Sequence, residues 1–249
     1  MTSNLTLASF SGGRSSAMMI QKMDLTNALV VFCNTGKEMP ETLDFVDRCE
    51  KEWGIPIVWL EYRAVRKYEV VTYETASRAG EPFAQLITER KFLPNMVARF
   101  CTSELKVLTI ERYLKDQGYD QWDTAVGIRA DEPRRVAKMR DKPGYITPLA
   151  DAGITSQDVI KYWSEQTFDL ELPASGFYSN CDLCFLKGYG IKQSLVNEDA
   201  TKAQWWDEQE KRIGARFRKD QPSYESMIVK SSDQEDLFGF DSISCFCGD

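Results

Sequence analysis

Leu5 to Phe10 is a short apolar run, followed by a glycine-containing loop and a helical pattern from about Ser15 to Met23. Ala28 to Cys33 is a second apolar run. Between Glu41 and Trp53 the apolar residues Leu43, Val46, Cys49 and Trp53 recur at helical spacing, and Gly54-Ile55-Pro56 stops the pattern. Ile57 to Leu60 reads as a third strand. Strands alternating with helices predict right-handed crossovers and a parallel sheet.

Residues 62–100 are less regular, rich in Arg, Lys and Glu, and interrupted by Pro82 and Pro94. They predict an insertion over the sheet edge. Ser103 to Gln117 reads as a helix with Val107, Ile110 and Leu114 on one face and Gly118 as its stop. Thr124 to Ile128 reads as a fourth strand. Thr155-Ser156-Gln157-Asp158 has the form of a capping box opening a helix to about Gln166. The pattern divides the chain into an alternating α/β domain over 1–166, with 62–100 as its insertion, and a cysteine-containing subdomain of loops and short helices over 167–249.

Composition narrows the chemistry. With 249 residues, 43% hydrophobic and 28% charged, the chain suits one large domain or a domain with an appended subdomain. No stretch approaches the roughly 20 apolar residues of a membrane span, so no membrane partner is expected. Met1-Thr2-Ser3-Asn4 lacks the start of a signal peptide, and a cytoplasmic protein is expected. In that compartment the seven cysteines read as core, metal-binding or catalytic residues rather than disulfides. The net charge of −7 argues against a large nucleic-acid footprint but leaves room for a local basic groove. The chain contains no histidine, which excludes Ser-His-Asp triads, Cys-His proteases and His-ligated zinc enzymes.

Ser11-Gly12-Gly13-Arg14-Ser15-Ser16 lies between the first strand and the first helix. A helix N-terminus there presents unpaired N–H groups and a partial positive charge, and glycines let backbone approach an anion. The serine hydroxyls add donors and Arg14 adds charge. No G-K-[ST] follows, so this is not a Walker A loop. Asn34-Thr35-Gly36-Lys37-Glu38-Met39-Pro40-Glu41-Thr42 ends the second strand, and Gly127-Ile128-Arg129-Ala130-Asp131-Glu132-Pro133-Arg134-Arg135 follows the fourth. Arg129, Arg134 and Arg135 are placed to grip phosphate or sulfate.

These three segments together resemble the phosphoadenosine-phosphosulfate (PAPS) reductase family and the wider PP-loop superfamily. Ser11, Gly12, Gly13 and Ser16 match the S-G-G-x-D-S loop of ATP pyrophosphatases, with Ser15 in place of the Asp. The second segment is similar to D-T-G-x-x-x-P-E-T, and the third to G-x-R-x-D-E-x-x-R, which sulfate adenylyltransferase small subunits share. The resemblance covers roughly residues 5 to 185. It implies an α/β fold, a parallel-sheet, Rossmann-like core of the adenine nucleotide alpha-hydrolase-like type with a C-terminal Cys-containing extension. It implies ATP or PAPS as the adenine nucleotide, with Mg2+ as a candidate companion, at Ser11–Ser16, Asn34, Thr35, Gly36, Gly127, Arg129, Arg134 and Arg135.

The cysteines extend the resemblance. Cys33 and Cys49 occupy apolar positions and read as core. Cys101 opens a segment ending in Lys106, a substrate-side contact in the family and here a catalytic candidate. In the family's iron–sulfur members a Cys-Cys pair and a later C-x-x-C hold a [4Fe–4S] cluster; here Cys101, Cys181 and Cys184 remain as ligands, with zinc as the alternative. Cys245 and Cys247 near the end of the chain echo the family's nucleophilic C-terminal cysteine without its flanking residues. Two activities are open. An ATP-using enzyme would adenylylate an acceptor, a small molecule or nucleic acid, and then transfer sulfur. A sulfonucleotide reductase would use a tail cysteine. A sulfur or electron donor protein is a candidate partner in either case, and a non-catalytic nucleotide-binding module is the remaining alternative.

Overall fold

A computed structural model describes residues 5–173, 176, 178 and 181–232 of the chain. The elements run in order β1 (Leu5–Phe10), α1 (Arg14–Lys22), β2 (Ala28–Asn34), α2 (Pro40–Trp53), β3 (Ile57–Glu61), β4 (Glu69–Val71) and α3 (Glu81–Arg90). A helical stretch follows, α4 (Phe100–Thr102), a π-helical turn (Ser103–Val107) and α5 (Leu108–Asp116). Then come β5 (Trp122–Val126), α6 (Pro133–Arg140), β6 (Tyr145–Ile146), α7 (Pro148–Asp151) and α8 (Ser156–Ser164). The C-terminal helices are α9 (Tyr189–Glu198), α10 (Thr201–Ile213) and α11 (Tyr224–Ser232).

The strands form one six-stranded sheet in the order β4-β3-β2-β1-β5-β6. β1 pairs in parallel with β2 and β5, β2 with β3, and β5 with β6. Among the described strands only β4 runs antiparallel, against β3. This is the mixed α/β, mostly parallel sheet that the alternating pattern predicts. Because β1, β2 and β5 are parallel, the loops after Phe10, Asn34 and Val126 open on the same edge, where such sheets bind ligands.

The sheet is apolar on both faces, as buried parallel sheets are. Ala8, Phe10, Val30 and Phe32 face a cluster completed by α1, α2 and α8, with Phe45 packed edge-on to Trp163 at a centroid distance of 5.0 Å. The alternate residues Leu7, Val31, Cys33 and Leu60 face Ile110 and Leu114 of α5. A further cluster joins Met39, Tyr62, α3 and Leu105 to Leu183–Leu186 and to helices α9, α10 and α11, with Trp206 at 1% exposure near its middle.

Several boundaries differ from those read off the sequence. Residues 62–100 are more regular than an irregular insertion, since they contain β4 and α3. The fourth predicted strand lies two residues earlier, ending at Val126, because Val126 is the last residue with a partner on β1, Ser9. The predicted helix from Ser103 begins at Phe100 and passes through the π-helical turn. The capping box at Thr155 forms as expected, with the Thr155 and Asp158 side chains satisfying one another's backbone N–H groups.

Candidate functional site

The loop after β1 is built around two hydroxyls. Ser11 Oγ and Ser16 Oγ lie 2.8 Å apart, and Ser16 Oγ donates to Gly13 O at 2.9 Å. These bonds fold the loop back over the first turn of α1, whose cap residue Gly13 has no side-chain cap. A helix N-terminus of this kind presents backbone N–H groups that suit an anion. Gly12 has φ +82°, and a Cβ there would stand 2.5 Å from Thr42 Cγ2 on α2. Only glycine fits. Arg14 turns away from this edge: its guanidinium makes two 2.7 Å bonds to Asp169 and a third to Leu170 O at 3.0 Å.

β5 approaches the loop from the other side. A Cβ on Gly127 would lie 2.7 Å from Ser16 Cα and 2.8 Å from Ser16 N, so the close contact between β5's end and α1's start requires glycine. Arg129 donates from Nη1 to Ser15 Oγ at 2.9 Å, and its Nε lies 3.2 Å from Asp131 Oδ1. The Ser15 hydroxyl, at the position where the pyrophosphatase pattern has Asp, is therefore occupied by a guanidinium. The segment after β2 is held by its own side chains. Asn34 Nδ2 donates to Glu61 Oε1 at 2.6 Å and its Oδ1 accepts from Gly36 N at 3.0 Å. Thr35 N and Thr35 Oγ1 both donate to Glu38 Oε2, at 2.7 and 2.8 Å. Glu38 Oε1 is buried without a hydrogen bond and lies 3.6 Å from Lys106 Nζ.

These segments open into one cavity of about 590 Å³. Ser11, Ser16, Thr35, Gly127, Arg134 and Arg135 of the expected nucleotide set line it, and so do Lys106, Cys101, Cys181 and Cys184. The remaining expected nucleotide residues, Gly12, Gly13, Arg14, Ser15, Asn34, Gly36 and Arg129, are not among those that line it, and the Arg14 side chain is engaged by Asp169 instead. Five basic side chains line the cavity, Arg99, Lys106, Arg134, Arg135 and Lys138, and among the described residues no aspartate or glutamate lines it, although Glu38 stands 3.6 Å from Lys106 and Glu132 pairs with Arg135. In a chain of net charge −7 this concentrates positive potential where an anion would sit. Phe83, Leu105, Phe185, Leu186 and Trp206 make part of the wall apolar.

Arg99 and Lys138 were not visible as site residues in the sequence. Arg99 lies in the irregular stretch before α4, and Lys138 gives only an i, i+4 relation to Arg134 on α6. Cys33 and Cys49 are core residues, 4% and 0% exposed, and burial pushes the Cys33 thiol up to about 12, partly opposed by Lys106. Among the described residues no group of three or more His, Cys, Asp or Glu is arranged to hold a metal ion. Cys101, Cys181 and Cys184 line the same cavity. Cys245 and Cys247 lie outside the described residues. Among the described residues, no helix is long and apolar enough to cross a membrane.

Comparison with known proteins bears on this edge of the sheet. The model of the phosphoadenosine phosphosulfate reductase domain family matches residues 6–171. An uncharacterized nin region protein, ORF290, of Escherichia phage lambda is 31% identical over 200 residues, which is 74% of this chain. The chain spans 66% of the length of that relative. A crystal structure of phosphoadenylyl-sulfate reductase from Candida auris, in a phosphate complex, superposes with a TM-score of 0.47 at 17% identity, covering 72% of this chain and 81% of that one.

Proposed function

The chain belongs to the phosphoadenosine phosphosulfate reductase domain family, and from that premise we propose that it is an enzyme coupling an adenine nucleotide to sulfur chemistry. One observation carries the reading: the Ser11–Ser16 loop and the thiols of Cys101, Cys181 and Cys184 open into the same cavity. The anionic tail of the nucleotide sits on the first-turn N–H groups of α1, with Lys106, Arg134 and Arg135 supplying charge.

With ATP, an acceptor oxygen attacks the α-phosphorus. The bond from that phosphorus to the bridging oxygen breaks, and pyrophosphate leaves with the electron pair. A persulfide on one cavity thiol, loaded by a sulfur donor, then attacks the acceptor carbon that carries AMP. The C–S bond forms as AMP leaves, and a second thiol cleaves the S–S bond, leaving a disulfide for an external dithiol to reduce. The chain's own part is binding, charge stabilisation at the leaving pyrophosphate, and presentation of the thiols. The unbroken Ser-Gly-Gly sequence supports this reading.

The basic side chains on the cavity wall favour a second reading, reduction of a sulfonucleotide. There a thiolate attacks the sulfonyl sulfur, an S–S bond forms, and the S–O bond to phosphate breaks. Adenosine bisphosphate leaves, and a second thiol then releases sulfite and closes a disulfide. Product analysis separates the two. The purified protein is incubated with ATP plus the small-molecule fraction of a cell extract, and separately with PAPS plus dithiothreitol. AMP and pyrophosphate in the first mixture alone are the expected result. Sulfite and adenosine bisphosphate from the second would reverse the order of the two readings. No product in either, with no nucleotide bound, would remove the enzyme.

A further inference from the structure

The segment carrying Cys181 and Cys184 is sewn to the loop after β2. Asp182 N donates to Lys37 O at 3.0 Å, and Glu38 and Cys181 pair as an isolated antiparallel bridge. Across the same seam Lys37 Nζ lies 2.7 Å from Asp182 Oδ2, the two side chains being 9% and 10% exposed. The other oxygen, Asp182 Oδ1, accepts from Trp206 Nε1 at 2.9 Å, and the Lys37 ammonium stands 5.1 Å from the Trp205 ring centre. A nearly buried ion pair of this kind adds little net stability over an apolar pair of the same volume. Breaking one partner leaves an uncompensated charge, so the pair fixes one arrangement of the two segments and penalises others.

Neither Lys37 nor Asp182 lines the cavity, yet their chain neighbours do: Thr35 on one side of the seam, Cys181 and Cys184 on the other. We propose that Lys37 and Asp182 are a positioning pair that makes the Cys181 and Cys184 thiols respond to nucleotide at the sheet edge. The proposal rests on the nucleotide reading above. Its force comes from geometry: an anion seated on the Ser11–Ser16 loop meets the Thr35–Glu38 segment, and that segment is rigidly joined to the C-x-x-C. Cys101 is the internal control. It stands on α4, outside the seam, but on the same cavity wall.

The test is residue-resolved alkylation of the full chain by iodoacetamide, followed by mass spectrometry, with and without adenosine 3′,5′-bisphosphate or ATP. In the native chain the nucleotide slows labelling of Cys101, Cys181 and Cys184. In Lys37→Met the nucleotide still binds and still protects Cys101. Cys181 and Cys184 there label about tenfold faster without nucleotide, as expected for a segment released to open locally, and lose their protection. Lys37→Arg restores the native pattern. Should Lys37→Met fail to fold, the double variant Lys37→Met with Asp182→Leu, which buries no unpaired charge, must show the same loss of protection. Native rates and native protection at Cys181 and Cys184 in either folded variant overturn the proposal. Absence of protection at Cys101 in the native chain counts against the shared nucleotide cavity instead, and the positioning pair is then judged on the nucleotide-free rates.

Discussion

Lys192 shows at the scale of one residue how much charge this fold places out of water. It is 1% exposed, with its ammonium 4.9 Å from the Tyr224 ring centre. Burial first, and Arg218 second, lower its pKa from 10.5 to about 8, against the pull of Glu210. Because the folded value is the lower one, the unfolded chain holds more protons between about 8 and 10.5. Stability therefore rises with pH through that window, and the penalty is fully present below it. The gap corresponds to about 3 kcal/mol at roughly 1.4 kcal/mol per pH unit. Lys192→Met should be the more stable protein at pH 7, by up to that amount, and the advantage should shrink towards pH 10. Urea denaturation of both proteins at the two pH values measures it. A Lys192→Met protein less stable than the native chain at pH 7 would show that the ammonium is compensated. No such lysine stands out in the sequence, where the chain from 167 on reads only as loops and short helices. It is the packing of α9 against α11 and the 217–224 segment that buries it.

At the scale of elements, the approach of β5 to α1 sets the shape of the anion site. Gly127→Ala would put a methyl group 2.7 Å from Ser16 Cα and 2.8 Å from Ser16 N, both backbone atoms that cannot rotate away. The strand end and the loop must separate. Nucleotide affinity should fall about tenfold or more, as when a rigid binding element moves by a fraction of an ångström, while the circular dichroism spectrum stays native. Isothermal titration with ATP checks this, and native affinity would show that the loop tolerates the shift. The need for glycine was legible in part. The segment starting at Gly127 could be picked out by its arginines and its place after a strand, whereas its contact with Ser16 belongs to the folded sheet. β1, β2, β3 and α2 were legible because their apolar runs are long and periodic. β4 was not, because it has three residues, pairs antiparallel at the edge and exposes Val70 at 56%. The π-helical turn at Ser103–Val107 left no trace either, since Val107, Ile110 and Leu114 fit a regular helix equally well.

At the scale of the whole molecule, distant stretches make one cavity, among them the loop after β1, Thr35 after β2, the segment after β5, the helical stretch from Phe100, and the C-x-x-C. Motif order in the sequence pointed to the first three together, since parallel strands bring their ends to one edge. The convergence of Cys101 with Cys181 and Cys184 on the same wall could be expected from the resemblance but not from spacing. The basic wall could be seen in part, through Lys106, Arg134 and Arg135, whereas Arg99 and Lys138 are each unremarkable in their own segments. The central claim is that an adenine nucleotide occupies this cavity with its anionic tail on the Ser11–Ser16 loop. A crystal structure of the chain grown with ATP tests it most directly. The account predicts phosphate oxygens on the backbone N–H groups of the first turn of α1, with Lys106 and Arg134 or Arg135 in contact and Cys101, Cys181 and Cys184 on the same cavity wall. ATP bound elsewhere on the surface, or phosphates in the cavity without contact to residues 11–16, would contradict it.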